Sequence, residues 1–226
     1  MMKRIRTLIN EVYLSKITQK EAELKALQAQ INPHFLYNSL SIINWKAIEA
    51  GEDEISHVTL ALSTYYRTSL NRGETMTTVA KEIDNIRAYL KIQLVMHDNE
   101  FRVVEQISDG LNDYMIPKMI LQPLVENAII HGLDGCANGY ICIYAAQKDG
   151  ILRISVTDDG CGMGQEMLDW MNSPNPAKRD GHLGLYNVIQ ILKLYYGEEY
   201  GIQAESDTSG TTVTIRLPAK KEAPHV

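Results

Sequence analysis

His34 stands directly after Pro33 in the stretch QINPHFLYNSLSIINW, residues 30–45, within a region otherwise rich in helix formers. Asn38 lies four residues on, so a helix puts it on the face that carries the imidazole. Leu36, Leu40, Ile43 and Ala47 form a separate apolar stripe that such a helix would bury. An imidazole in this setting could shuttle a proton, ligate a metal or accept a phosphoryl group. A lone histidine is more often a partly buried structural residue, and this stretch alone favours that reading.

Further along, residue types suited to ligand chemistry recur in a fixed order. Asp158-Asp159-Gly160-Cys161-Gly162 closes a strand-like run. An aspartate there can accept a hydrogen bond from an exocyclic amine, and glycines admit close backbone approach to a ligand; a plain turn has the same composition. Gly181-His182-Leu183-Gly184-Leu185 opens a helix, whose first amides can face phosphate oxygens or simply be capped. Ser209-Gly210-Thr211-Thr212 lies between the last two strands, where a hairpin turn is the default. Glu126 and Asn127 sit on an apolar helix with His131 one turn further along. Polar groups on a buried helix are costly unless paired or ligand-bound, and an Asn carbonyl oxygen can complete a Mg²⁺ shell shared with phosphates.

The elements that must position these residues fall into two kinds. Residues 3–50 read as helix, with Ile17, Leu24, Leu27 and Ile31 at heptad-compatible spacing and Pro33 bending the chain before His34. Gly51 ends it, EISHVTLALSTYYRTSL makes a second helix, and Asn71-Arg72-Gly73 breaks that one. A third runs from about Val79 to His97 with Ile83, Ile86, Leu90 and Leu94 on one face. Helices with such narrow apolar faces make little core alone, so this half is expected to dimerise.

The pattern changes near Asn99. FRVVEQI reads as a strand and IPKMILQPLVENAIIHGL as a largely apolar helix. YICIYAAQ and ILRISVTD are strands joined at Lys148-Asp149-Gly150, Gln165–Asn172 and LGLYNVIQILKLYY are helices, and GIQAES and TTVTIRLP close the pattern. The expected class is α+β: a helical region, about residues 1–98, then a domain of about 99–220 with one mostly antiparallel sheet carrying helices on one face. AKKEAPHV, and residues 221–226 in particular, reads as a disordered tail.

Composition excludes several classes. The chain has 226 residues, 45% hydrophobic and 22% charged, as in a globular protein. A net charge of -6 argues against nucleic acid as the main partner. The start is basic, with Lys3, Arg4, Arg6, Lys16 and Lys20 against Glu11, a pattern of a solvated helix end or of an anionic membrane face. Cys136, Cys142 and Cys161 have no C-x-x-C spacing, which favours reduced thiols over a zinc site or disulfides. No apolar run is long enough to span a bilayer, and the start lacks the core of a signal peptide.

Taken in order, PLVENAIIHG, DDGCGM, HLGLYNV and SGTTVTIRLP resemble the N, G1, G2 and G3 boxes of the GHKL (Bergerat-type) ATP-binding fold. QINPHFLYNSL upstream resembles the phosphoacceptor motif of LytS/YesM-type sensor histidine kinases, and LKLYYGEEYGIQAES resembles that family's segment after G2. The resemblance runs from about Ala22 to Pro218. It implies that ATP phosphorylates His34, that Asn127 is the Mg²⁺ ligand, and that Asp158 reads adenine. It also implies that Gly160 and Gly162 shape the pocket, that Gly184 and Leu185 close over the phosphates after a lid of about Gln165–Leu183, and that Gly210 and Thr212 support the adenine side. His131 joins the cofactor-binding set, and Glu126 matches the acid beside the metal ligand, acting through water or in catalysis. Phe35 occupies the place where many other histidine kinases have an acid, which leaves Asn38 to orient the ring or the γ-phosphate. The implied partners are a second copy of the chain and a response-regulator aspartate. Membrane contact would come only through a sensor segment not in this chain, making it the cytoplasmic part of a bacterial plasma-membrane protein. A gyrase-type ATPase or a serine kinase on the same fold would lack PHFLYN, and a non-catalytic dimeric scaffold is the other rival.

Overall fold

A computed structural model describes residues 33–69, 74–133 and 138–222. The heptad stripe of Ile17–Ile31, the basic start, any bend before Pro33, the Asn71-Arg72-Gly73 break and Cys136 lie outside the described residues.

Helix α1 (Pro33–Ala50) starts on a proline, which suits a first helical turn because it has no amide to satisfy. Gly51, at φ 74°, ends it, and α2 (Asp53–Ser69) returns along it. Ser56 Oγ donates to Asn44 Oδ1 at 2.8 Å across this hairpin. Leu40 and Ala47 are buried against α2 as expected. Ile43 is not: it is 47% exposed, alongside Phe35, Ile42, Trp45 and Ile48. A single partner helix covers only one strip of α1, and Ile43, three residues after Leu40, lies at the edge of the strip that Leu40 and Ala47 define.

After strand β1 (Met76–Thr78), Thr78 Oγ1 accepts from the Lys81 amide and caps α3 (Val79–Met96). The α3 residues Val79, Ile83, Ile86 and Leu90 are buried in the same core as the sheet. That sheet contains β2 (Phe101–Ile107), β4 (Gly139–Lys148), β5 (Ile151–Asp158), β6 (Gly201–Asp207) and β7 (Gly210–Pro218), in the spatial order β2-β4-β5-β7-β6. The β2–β4 pair is parallel and the others are antiparallel. Ile141, Ile143, Leu152, Ile154, Val156, Val213, Ile215 and Leu217 all face one side and are buried there, while Tyr144 and Arg153 project from the other. The period of two therefore delivers the expected one-sided, mostly antiparallel sheet.

The helix expected over IPKMILQPLVENAIIHGL is shorter. Met115–Pro117 is instead strand β3, antiparallel to β1, and α4 begins only at Gln122 (Gln122–Asn127) before a π-helical turn at Ala128–Gly132. Pro123 sets that start, because inside a longer helix it would remove a hydrogen bond and clash with the preceding turn. Helices α5 (Gln165–Asn172) and α6 (Leu183–Tyr196) lie where expected. The expected tail is partly ordered: the Ala219 amide donates to Gly150 O and the Met115 amide to Lys220 O, each within 2.9 Å. Residues 223–226 lie outside the described range. Among the described residues no helix is long and apolar enough to cross a membrane.

Glu82 ties α3 to the approach to α4. Its carboxylate, 2% exposed, accepts from the amides of Met119 (3.0 Å) and Leu121 (3.1 Å), and burial pushes its pKa up against their influence. Glu82→Ala leaves both amides without an acceptor, at about 1–3 kcal/mol each. Denaturant unfolding is expected to show a loss of roughly 3 kcal/mol, and an unchanged midpoint would contradict this account.

Candidate functional site

Asp158 ends β5 and points into the helix-covered side of the sheet, 4% exposed. Its Oδ1 accepts from the Gly160 amide at 3.1 Å, and the Thr211 amide also donates to the carboxyl. Burial raises its pKa, these amides oppose the rise, and the neighbouring Asp159 charge adds to it. Asp159 Oδ1 in turn accepts from the Tyr140 amide at 2.6 Å.

The glycines around Asp158 are required by close approach. A Cβ on Gly160 would overlap the Gly132 carbonyl, and one on Gly132 would lie 2.6 Å from the Asp158 carboxyl. The Cys161 amide closes the same junction by donating to Gly132 O at 3.1 Å. Gly162, at φ 78°, presses its backbone against the Asp207 carbonyl. These glycines thus bring the end of β5, the end of the π-helical turn and the β6–β7 hairpin to one point.

Thr212, expected on the adenine side, faces the other way. Its Oγ1 lies 3.0 Å from Thr157 Oγ1 on the opposite face of the sheet. Strand alternation puts Thr211 beside Asp158 instead: it is buried, and its Oγ1 is 2.9 Å from Ser206 Oγ. Ser206 Oγ also donates to Gly210 O and accepts from the Met163 amide at 2.7 Å. Neither Ser206 nor Thr211 stands out by motif; the inward parity of Val213, Ile215 and Leu217 is the signal that selects Thr211.

Asn127 ends α4, 9% exposed, beside Glu126, whose Oε1 accepts from Gln122 Nε2 at 2.6 Å. His131 is exposed, its ring 5.5 Å from that of His182. Burial, with His131 and Arg179 nearby, lowers the His182 pKa. The amides of Leu183, Gly184 and Leu185 precede the first intrahelical bond of α6, from Tyr186 N to His182 O. Leu185 was expected over the phosphates, but its side chain is 3% exposed in the core, so only its backbone can serve a ligand. Gly184 packs α6 on α4, since a Cβ there would lie 3.1 Å from Pro123. The first part of the expected lid is the docked helix α5: Asn172 exchanges two 2.8 Å bonds with the Ala204 backbone.

His34 and Asn38 sit on α1, away from this glycine frame. Both are exposed, with His34 Nδ1 3.3 Å from Asn38 Nδ2. The pairing expected from their spacing is therefore present.

Residues 22–101 match the family described as histidine kinase, and residues 112–221 match that of histidine kinase-, DNA gyrase B- and HSP90-like ATPases. The chain belongs to the histidine kinase family. This kinase chain is 37% identical, over 98% of its length, to the sensor histidine kinase YesM of Bacillus subtilis. It is 32% identical, over 89%, to the sensor protein LytS of Staphylococcus epidermidis and, over 90%, to the sensor histidine kinase BtsS of Escherichia coli. The chain spans 38%, 34% and 34% of those relatives. In fold, the kinase is similar to the histidine kinase domain of the Erythrobacter litoralis EL346 blue-light activated kinase. That match has a TM-score of 0.51 at 19% identity and covers 89% of this chain and 94% of the other. The catalytic domain of the histidine kinase ThkA gives a TM-score of 0.50 at 20% identity, over 66% of this chain and 98% of that one.

Proposed function

We propose that this chain transfers the γ-phosphoryl group of Mg-ATP to His34 and passes it on to a response-regulator aspartate. The observation that carries the reading is Asp158, a buried carboxyl held by two amides in a glycine frame, in a chain that also presents the His34–Asn38 pair. One carboxyl oxygen serves the Gly160 amide, and the remaining acceptor capacity suits the exocyclic amine of adenine. The unbonded amides of residues 183–185 suit phosphate oxygens.

Asn127 offers a hard oxygen donor, and among the described residues no cluster of three or more His, Cys, Asp or Glu could hold a metal. That donor set fits an ion which takes most of its ligands from phosphates and water, as Mg²⁺ does. Bound there, Mg²⁺ would neutralise charge on the phosphates.

The bond from His34 Nε2 to phosphorus forms as the bond from phosphorus to the β-phosphate oxygen breaks, and ADP leaves with the electron pair. Nε2 is nucleophilic only when the proton is on Nδ1. Turning the Asn38 amide by half a rotation presents Oδ1 to that Nδ1–H and holds the reactive tautomer, since amide ends are interchangeable in shape. Asn38 can hold the proton but not remove it. Glu126, the half-buried carboxylate beside Asn127, is the base assigned to receive it. The apolar residues exposed on α1, with Ile55 and Leu60 on α2, support pairing with a second copy.

Incubating the chain with γ-labelled Mg-ATP should give acid-labile, alkali-stable label that maps by peptide mass spectrometry to residue 34. Label elsewhere, or none with ATP bound, would refute the reading.

A further inference from the structure

A polar chain links the hairpin that carries His34 to the carboxylate beside Asn127. Tyr65 on α2 donates from its hydroxyl to Gln122 Oε1 at 3.2 Å. Gln122, in the first turn of α4, donates from Nε2 to Glu126 Oε1 at 2.6 Å, one helical turn on. The amide has one acceptor end and one donor end, and here each meets the partner it can serve. Reversing it would set two acceptors against each other at Glu126, although the Tyr65 hydroxyl could accept as well as donate. The direction of the chain is therefore fixed: hydroxyl to amide to carboxylate.

The surroundings hold this chain in place. The Tyr65 ring packs 5.9 Å from that of Tyr89 on α3. Burial, and then the charge of Glu126, push the Tyr89 hydroxyl well above its ordinary pKa, so it stays protonated at any working pH. Tyr65, Gln122 and Glu126 are each half-buried, so this contact is weakened less by solvent than a surface pair. A free glutamate side chain samples several rotamers; one fixed through a 2.6 Å bond to its own helix does not.

We propose that Tyr65 and Gln122 are positioning residues for Glu126, so that a side chain of the acceptor hairpin sets the carboxylate that receives the proton of His34. This rests on the catalytic reading of Glu126 given above. Tyr65 lies on α2, which packs on α1, so any shift of the hairpin that separates Tyr65 from Gln122 frees the carboxylate from its set position. The transfer rate then depends on hairpin placement while nucleotide binding does not.

The test uses the full chain and γ-labelled Mg-ATP, with single-turnover labelling followed against ATP concentration. Tyr65→Phe keeps the ring and removes only the donor; it is expected to slow the maximal rate about 3- to 10-fold, with half-saturation by ATP within about twofold of the parent. Gln122→Met keeps the length and removes the amide; about a tenfold loss is expected, again in the rate alone. The Tyr65→Phe/Glu126→Gln double variant should be no slower than Glu126→Gln, because the first change acts only through the second group. Multiplying effects in that double variant would overturn the proposal, as would Tyr65→Phe at the parent rate beside a slow Glu126→Gln. Glu126→Gln at the parent rate would instead remove the catalytic reading of Glu126, and the proposal with it.

Discussion

Asp158→Asn is expected to weaken ATP binding about 10- to 150-fold, from the roughly 1.5–3 kcal/mol of a hydrogen bond to a charged group. The substitution keeps shape and volume, so the effect comes from donors and acceptors alone. Asp158 offers acceptors on both sides, with the Gly160 and Thr211 amides on one and the ligand on the other. An asparagine has one acceptor end, so it must set its NH₂ group either against those amides or against the amine of adenine. Guanine presents a carbonyl oxygen where adenine has its amine, so the ratio of ATP to GTP affinity should also collapse. Calorimetric titration of both nucleotides checks this, and an unchanged ratio would show that Asp158 does not read the base. A pH dependence follows. Protonation removes an acceptor, and burial raises the Asp158 pKa, so ATP affinity should begin to fall at a higher pH than an ordinary aspartate would set. The Asn variant should lack that limb. The contribution of Asp158 to folding stability has the opposite sign: it is greatest at low pH and declines as pH rises through the elevated pKa.

His34→Gln is expected to abolish acid-labile label while leaving ATP affinity within about twofold, because no other group in the proposed chemistry supplies the nucleophile. Substitutions at Asn38 then separate an orienting role from a merely helical one. Asn38→Asp can only accept, which suits an Nδ1–H, so it should label at or above the parent rate. Asn38→Ala should be slower by about tenfold, the size of one lost orienting bond. Full labelling by Asn38→Ala would sink the orienting role, and persistent acid-labile label in His34→Gln would show that another histidine is the acceptor.

The parts of the fold that the sequence foretold are those with a clean period. Strand β7 alternates strictly and β4 over most of its length, and α6 and α3 carry apolar faces of three or more turns. The misread parts lack such a signal. Met76–Thr78 and Met115–Pro117 are too short to show alternation, and Glu82 holds the segment that follows the second of them. Around Pro123 the apolar run MIL extends the helical pattern upstream of the true start, which Pro123 itself marks. Asn38 beside His34 was legible from a four-residue spacing. Thr211 was not, because a motif of two adjacent threonines does not state which one faces inward until the strand register is fixed. Ser206 is beyond sequence reasoning, since its hydroxyl joins the turn of its own hairpin, at Gly210 and Thr211, to the Met163 amide 43 residues away in the chain.

The contact of Gly184 with Pro123 has a mechanical consequence. Asn127 and the unbonded amides of residues 183–185 ride on two helices that touch at this point, where only the closed ring of Pro123 lies between the backbones. They form the two jaws of a vice: with no side chain on Gly184 and a closed ring on Pro123, no flexible side chain sets their separation. On the proposed function, an opening of the segment ahead of α6 that hinges on the N-terminal side of Leu183 would admit or release a nucleotide with the gauge between the jaws unchanged.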